Sequence, residues 1–199
     1  MIKNISFCAK IPIATCSIQN TKTREFEEAT IFEYDCKDYE DIEKLDKITN
    51  EHSWQYVPCI FQSAVNKHKR IKAKEYNCEH IYALENKNGE TLNLCSTRED
   101  LYDTTINFIE SKKTANYKYC GQNMMATIVK KTMDELKNYI VIHRAIYAAW
   151  KFYMRTCGFT PTGIQYNNNE IDMIMGEKSF KEFVDKTEET TGREIKYCQ

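Results

Sequence analysis

The segment Lys118-Tyr119-Cys120-Gly121-Gln122-Asn123 joins a strand-like run, Thr104–Ser111, to a helix. In that helix Met125, Ile128, Val129, Met133 and Leu136 recur at helical spacing, so one face is apolar and the helix starts directly after a single glycine. The first turn of a helix holds backbone N–H groups without partners, and the helix dipole adds partial positive charge there. Gly121, lacking a Cβ, lets the backbone come close to a phosphate, and Lys118 adds a mobile cation. The chemistry offered by this spacing is anion binding. Cys120 in the same loop has no identifiable base beside it, so it reads as an inert thiol.

Other elements must hold this loop. Ala29–Tyr34 has strand character, and Asp38 is placed to cap a helix carrying Ile42, Leu45 and Ile48. A second helix is expected within 60–74, with the basic run Lys67-His68-Lys69-Arg70 on a solvated face. Glu79–Leu84 and Thr91–Cys95 flank Asn88-Gly89, a dipeptide that suits a tight hairpin turn with positive φ at both positions. Tyr139–His143 reads as a buried strand, Ala145–Cys157 as an apolar helix stopped by Gly158, and 162–166 with 171–175 as a closing hairpin. Residues 1–27 form an N-terminal extension with strand character and a charged connector, and 179–199 form a helical, then frayed, tail. Helices alternate with strands of one mixed sheet, an α/β arrangement.

Composition narrows the function classes. A net charge of -1 over 199 residues gives no global positive field for a nucleic-acid backbone, and no nucleic-acid partner is expected. A nucleic-acid adaptor would need the 67–74 run to join a larger basic face. No apolar run approaches the roughly 18 residues of a membrane span. Nine scattered cysteines without a C-x-x-C pair, and no secretory signal, point to free thiols in a reducing, cytoplasmic setting. Cys78 and His80 lack a second pair with ligand spacing, so no metal site is expected.

About thirty residues beyond the loop come Ala149-Trp150-Lys151-Phe152-Tyr153, then Gly158-Phe159, then a hairpin ending in Ile171–Met175. With the loop, this order resembles the GNAT superfamily of N-acyltransferases over about residues 28–176. That family has a strand, a loop of the pattern Gln/Arg-x-x-Gly-x-Gly/Ala opening a helix, and later an A-x-x-F-Y…G-F stretch. The resemblance implies a GNAT-like mixed, mostly antiparallel sheet with helices on both faces, in a domain spanning 28–178. It implies that acetyl-CoA, or another acyl-CoA, rests its pyrophosphate on Lys118, Tyr119, Cys120, Gly121, Gln122 and Asn123. The strand end at Ser111, Lys113 and Ala115 would then pair with the pantetheine arm.

By the same resemblance Tyr153 protonates the departing coenzyme A thiolate, although four residues separate it from Gly158 where the family usually has three. That spacing predicts a rotated ring. A proton acceptor is also needed, because an amine attacks only when neutral and a lysine side chain has a pKa of about 10.4. The family's carboxylate position falls near Asn107, which cannot serve; Glu110 is the nearest carboxylate, and a bulge would be required to swing it to the same face. His143 reads as a core histidine or as lining of the acceptor groove. The implied activity is transfer of an acetyl or other acyl group to a small-molecule or peptide amine, by a protein without a membrane partner and open to homodimerisation. The alternative is a catalytically inactive acyl-CoA-binding or regulatory module of the same fold.

Overall fold

The structure is a computed structural model that describes residues 10–34, 38–51, 54–55, 79–113 and 116–198. The helix expected within 60–74, its basic run, and Ala115 lie outside the described residues. Among the described residues ten strands make one sheet: β1 (Ile11–Asn20), β2 (Phe26–Tyr34), β3 (Glu79–Asn86), β4 (Thr91–Glu99), β5 (Asp103–Ser111), β6 (Tyr117–Lys118), β7 (Tyr139–Ala145), β8 (Thr160–Tyr166), β9 (Glu170–Gly176) and β10 (Lys196–Tyr197). Their order is β10-β1-β2-β3-β4-β5-β7-β9-β8, with β6 also on β1. Every pairing is antiparallel except β5 with β7.

Helices cover both faces. Asp38 caps α1 (Tyr39–Thr49) as its side-chain type predicts, its Oδ1 accepting the N–H groups of Glu40 at 2.8 Å and Asp41 at 3.1 Å. Leu45 of α1 then packs with Tyr34, Trp54, Ile81, Ala83 and Leu94. On the other face α2 (Cys120–Asp134) buries Met124, Met125, Ile128 and Val129, each contributing about 1.5–3 kcal/mol by leaving water. Against α2 lies α3 (Glu177–Thr191), through Phe180, Phe183 and Val184 and a bond from Gln122 Nε2 to Thr187 Oγ1 at 3.2 Å. Residues 11–20, read from sequence as part of an extension, are a full strand of this sheet, and the segment from Glu177 is a packed helix.

Two local expectations change. At the β3–β4 turn only Gly89 takes positive φ, at 76°. Asn86 Oδ1 accepts the N–H groups of Asn88 and Glu90, both at 3.0 Å, which fixes a type I turn closed by a left-handed glycine. The helix expected over 145–157 is broken: β7 runs to Ala145, a 3₁₀ turn covers Tyr147–Ala149, and a π-helical turn covers Phe152–Cys157. A π-turn takes in one extra residue. It thereby absorbs the fourth residue between Tyr153 and Gly158, whose N–H bonds back to the Tyr153 carbonyl.

Candidate active site

Strands β5 and β7 run side by side only from Asp103↔Tyr139 to Ile106↔Ile142. Past that pair β5 continues five residues to Ser111 on β4 alone, while β7 turns toward β9. Asn107–Ser111 and His143–Ala145 are not paired with each other, which leaves a gap in the sheet there. Each arm carries a bulge at the fork. On β5, Ser96 pairs with Phe108 and Thr97 with Ile106, which leaves Asn107 as an extra residue. On β7, Ile142 pairs with Met173 and Ala145 with Ile171, so His143 and Arg144 together oppose Asp172.

The second bulge has a visible cause. Asp172 Oδ1 accepts the Arg144 N–H at 2.8 Å, with Arg144 at φ 55°. Its Oδ2 lies 3.2 Å from His143 Nδ1 and 3.2 Å from the Tyr166 hydroxyl. Arg144 Nε in turn meets Glu170 at 2.7 Å, and its guanidinium lies over the Tyr166 ring. Burial by itself would raise the Asp172 carboxyl, but the Arg144 N–H and the His143 and Tyr166 bonds outweigh it and hold the group below its ordinary range. Ile171 and Met173 face the α2 core, so alternation turns Asp172 to the α1 face. His143 is no core residue: its side chain is 55% exposed.

The mouth of the gap meets the start of α2. A Cβ on Gly121 would stand 3.4 Å from Ser111 Oγ, 3.5 Å from the Phe152 ring and 3.7 Å from Asn93 Nδ2. Tyr119, at φ 70°, opens α2 without any side-chain cap, and the first turn holds no acidic residue. The first helical bond runs from Asn123 N–H to the Tyr119 carbonyl at 2.9 Å, so the N–H groups of Cys120, Gly121 and Gln122 precede the ladder. Lys118 is exposed on β6 beside this turn, and Lys113 is exposed beyond Ser111.

The side chains of the loop point elsewhere. Asn123, expected to hold phosphate, is fully buried, and its Nδ2 donates to the Ser17 carbonyl at 2.7 Å. With its N–H also spent on Tyr119, Asn123 anchors α2 to β1, which corrects the expectation from sequence. Gln122 is held by Thr187, so only its backbone faces the loop's task. Cys120 is buried, which pushes its thiol up to about 12. Tyr119 lays its ring flat on Phe26, with centroids 6.1 Å apart. Ser111 accepts from Asn93 Nδ2 at 2.9 Å.

Tyr153 is 6% exposed, with Phe152 and Phe159 edge-on to its ring at 5.4 and 5.8 Å. Burial pushes its hydroxyl above the usual phenol range, with Cys95 and Cys157 adding to the effect. Such a phenol remains a proton donor at neutral pH. Glu110 accepts the Gln55 N–H at 2.6 Å and pairs with Leu94, on the α1 face. The bulge at Asn107 does bring it to the side of Asn107, whose Nδ2 reaches Ser96 Oγ at 3.4 Å. Asn93, Asp172 and Tyr166 were not picked out from sequence. The one available signal was a carboxylate between Ile171 and Met173, a charged residue inside an apolar strand.

No family model matches the chain, and no curated protein matches it in sequence. Solved structures do. An uncharacterized protein from Bacillus halodurans superposes with a TM-score of 0.55 at 11% identity, over 90% of this chain and 99% of that one. The ribosomal-protein-S18-alanine N-acetyltransferase from Escherichia coli gives 0.52 at 17%, over 74% and 91%. A chain of the NatC complex, solved bound to Gag peptide and CoA, gives 0.50 at 12%, over 74% and 98%. At such identities the likeness is one of fold.

Proposed function

Because the chain has the fold of the GNAT N-acyltransferases, we propose that it transfers an acetyl or other acyl group from coenzyme A to an amine. The observation that carries this reading is the fork at Ile106 and Ile142, opening beside an uncapped helix start. The freed edge of β5 offers backbone donors and acceptors to an extended amide-bearing chain such as pantetheine. The N–H groups of Cys120, Gly121 and Gln122, with Lys118 and Lys113 nearby, suit a pyrophosphate. Ser111 lies between the two.

In this reading the neutral amine attacks the thioester carbonyl in the gap, the C–N bond forms, and the C–S bond breaks with its electron pair on sulfur. Tyr153 is the candidate donor of a proton to that thiolate. The acceptor is a small amine or a peptide; the solved neighbours named for a ribosomal-protein alanine and for a Gag peptide support the peptide class. Residues 28–178 carry the transfer machinery, with β1 and α3 bracing it. Among the described residues Cys16, Cys95, Cys120, Cys157 and Cys198 are free thiols, which supports a cytoplasmic setting. No described helix is long and apolar enough to cross a membrane. The enclosure of Tyr153 favours, as a second reading, a module that binds acyl-CoA without turnover.

The test is calorimetry with acetyl-CoA, followed by thiol release across amines, polyamines, amino acids and peptides. Binding with release supports transfer. Binding without release on any acceptor supports the second reading, and no binding removes both.

A further inference from the structure

The group that takes the proton from the attacking amine has to stand at the fork, free on one side and fixed on the other. Glu110 does not fit well: its carboxylate is engaged by the Gln55 N–H, and it stands four positions beyond the last β5–β7 pair. His143 is the first β7 residue past that pair, at the start of the gap. It belongs to the bulge that Asp172 holds, and its Nδ1 lies 3.2 Å from the Asp172 carboxylate.

That contact decides the tautomer. Asp172 is buried, accepts from the Arg144 N–H and is held in its ionised form, so as a carboxylate it only accepts. Nδ1 of His143 must therefore carry the hydrogen, and Nε2 of the neutral ring keeps its lone pair. No described residue bonds to Nε2. A carboxylate bonded to the far nitrogen that fixes an imidazole in this way also stabilises the cation formed when Nε2 gains a proton. The same Oδ2 also accepts from Tyr166, which keeps the carboxylate from rotating.

We propose that His143 is the general base of the transfer reaction and that Asp172, with Tyr166, is its positioning partner. This rests on the acyltransferase reading above. The amine nitrogen loses its proton to Nε2 as the C–N bond forms, the thioester sulfur leaves with the C–S electron pair, and the imidazolium later returns its proton to solvent. Among the described residues, the charged and titratable groups joined to this bulge are Asp172 of β9, which meets the His143 ring, Tyr166, which meets Asp172, and Arg144 with its partner Glu170; the neighbouring β5 positions Thr105 and Asn107 do not titrate.

The experiment compares the parent with His143→Gln, His143→Ala and Asp172→Asn, on whichever amine the thiol-release screen identifies. Acetyl-CoA affinity is measured separately by calorimetry. His143→Gln is expected to lower kcat/KM by about 10²-fold or more, with an unchanged Kd for acetyl-CoA and loss of the acid limb of the pH profile. Added imidazole should restore part of the His143→Ala rate, and Asp172→Asn should move the acid limb while lowering kcat. Parental kcat/KM in His143→Gln, or an acid limb that survives there and vanishes in Glu110→Gln, would overturn the assignment. A parent that binds no acetyl-CoA overturns the acyltransferase reading itself, a result visible in the calorimetry before any variant is made.

Discussion

Ser111 Oγ stands 3.4 Å from the position that a Cβ on Gly121 would take, so the end of β5 lies beside the first turn of α2. A Cβ at Gly121 would meet Ser111, Phe152 and Asn93 at ordinary contact distance, so Gly121→Glu leaves the fold in place. It also places a carboxylate beside the N–H groups proposed to take the pyrophosphate. Calorimetry should show acetyl-CoA affinity reduced at least about 100-fold, equivalent to about 2.7 kcal/mol, while a urea melt still shows a cooperative fold. Parental affinity would mean that the anion site lies elsewhere.

Acetyl-CoA should stabilise the folded chain. At a hundred times Kd the gain is about 2.7 kcal/mol. For a chain of this size that raises Tm by roughly 5–11 °C. A thermal scan at millimolar acetyl-CoA, with adenosine diphosphate as a control for the phosphates alone, measures it; an unmoved Tm contradicts the site.

Tyr153→Phe keeps the ring between Phe152 and Phe159 and removes only the hydroxyl. A structural tyrosine would then cost about 1 kcal/mol of stability and little rate. A proton donor would cost about 10²–10⁴-fold in turnover at saturating acetyl-CoA, with Kd unchanged. Single-turnover thiol release for the two proteins separates the cases.

Glu99 gives a pH dependence of stability. Burial raises its carboxyl, but Lys131, His80 and Lys137 outweigh that and leave it below the ordinary range. A depressed folded-state value means that the stabilisation is fully present above the unfolded carboxylate range and is lost as pH falls through the folded value. Glu99→Gln should therefore destabilise the chain at pH 7 and differ less from the parent as pH drops toward 3. Urea melts of both proteins across that range would show the gap closing; a constant gap would assign the effect to packing.

The sequence carried the frame of the site better than its orientation. Asp38 announced α1 because a capping carboxylate acts within three residues, and the apolar spacing from Met125 to Val129 announced α2 for the same local reason. Asn107, His143 and Arg144 were illegible as bulges, because a bulge is decided by the partner strand, here by Thr97 and Asp172. Tyr153 shows the difference from the other side. Its extra spacing to Gly158 was plain in the sequence and predicted a turned ring, but the π-turn that takes in the residue depends on packing against Phe159 and the sheet. Asn123 was misread since only its burial against Ser17, more than a hundred positions earlier, shows what it does.

The pairing of β1 with β10 joins Thr15 to Lys196, two residues about 180 positions apart. Strand β1 also carries β6 and, through Ser17, the start of α2, and α3 leans on the same helix. Contacts so distant along the chain form slowly, since the loop between them must close first. During synthesis, at about 5–20 residues per second, the turn that opens α2 has β1 beside it before α3 emerges. A nascent chain halted before Glu177 would leave uncovered the side of α2 that carries Gln122 and Lys130, open to any chaperone near the ribosome.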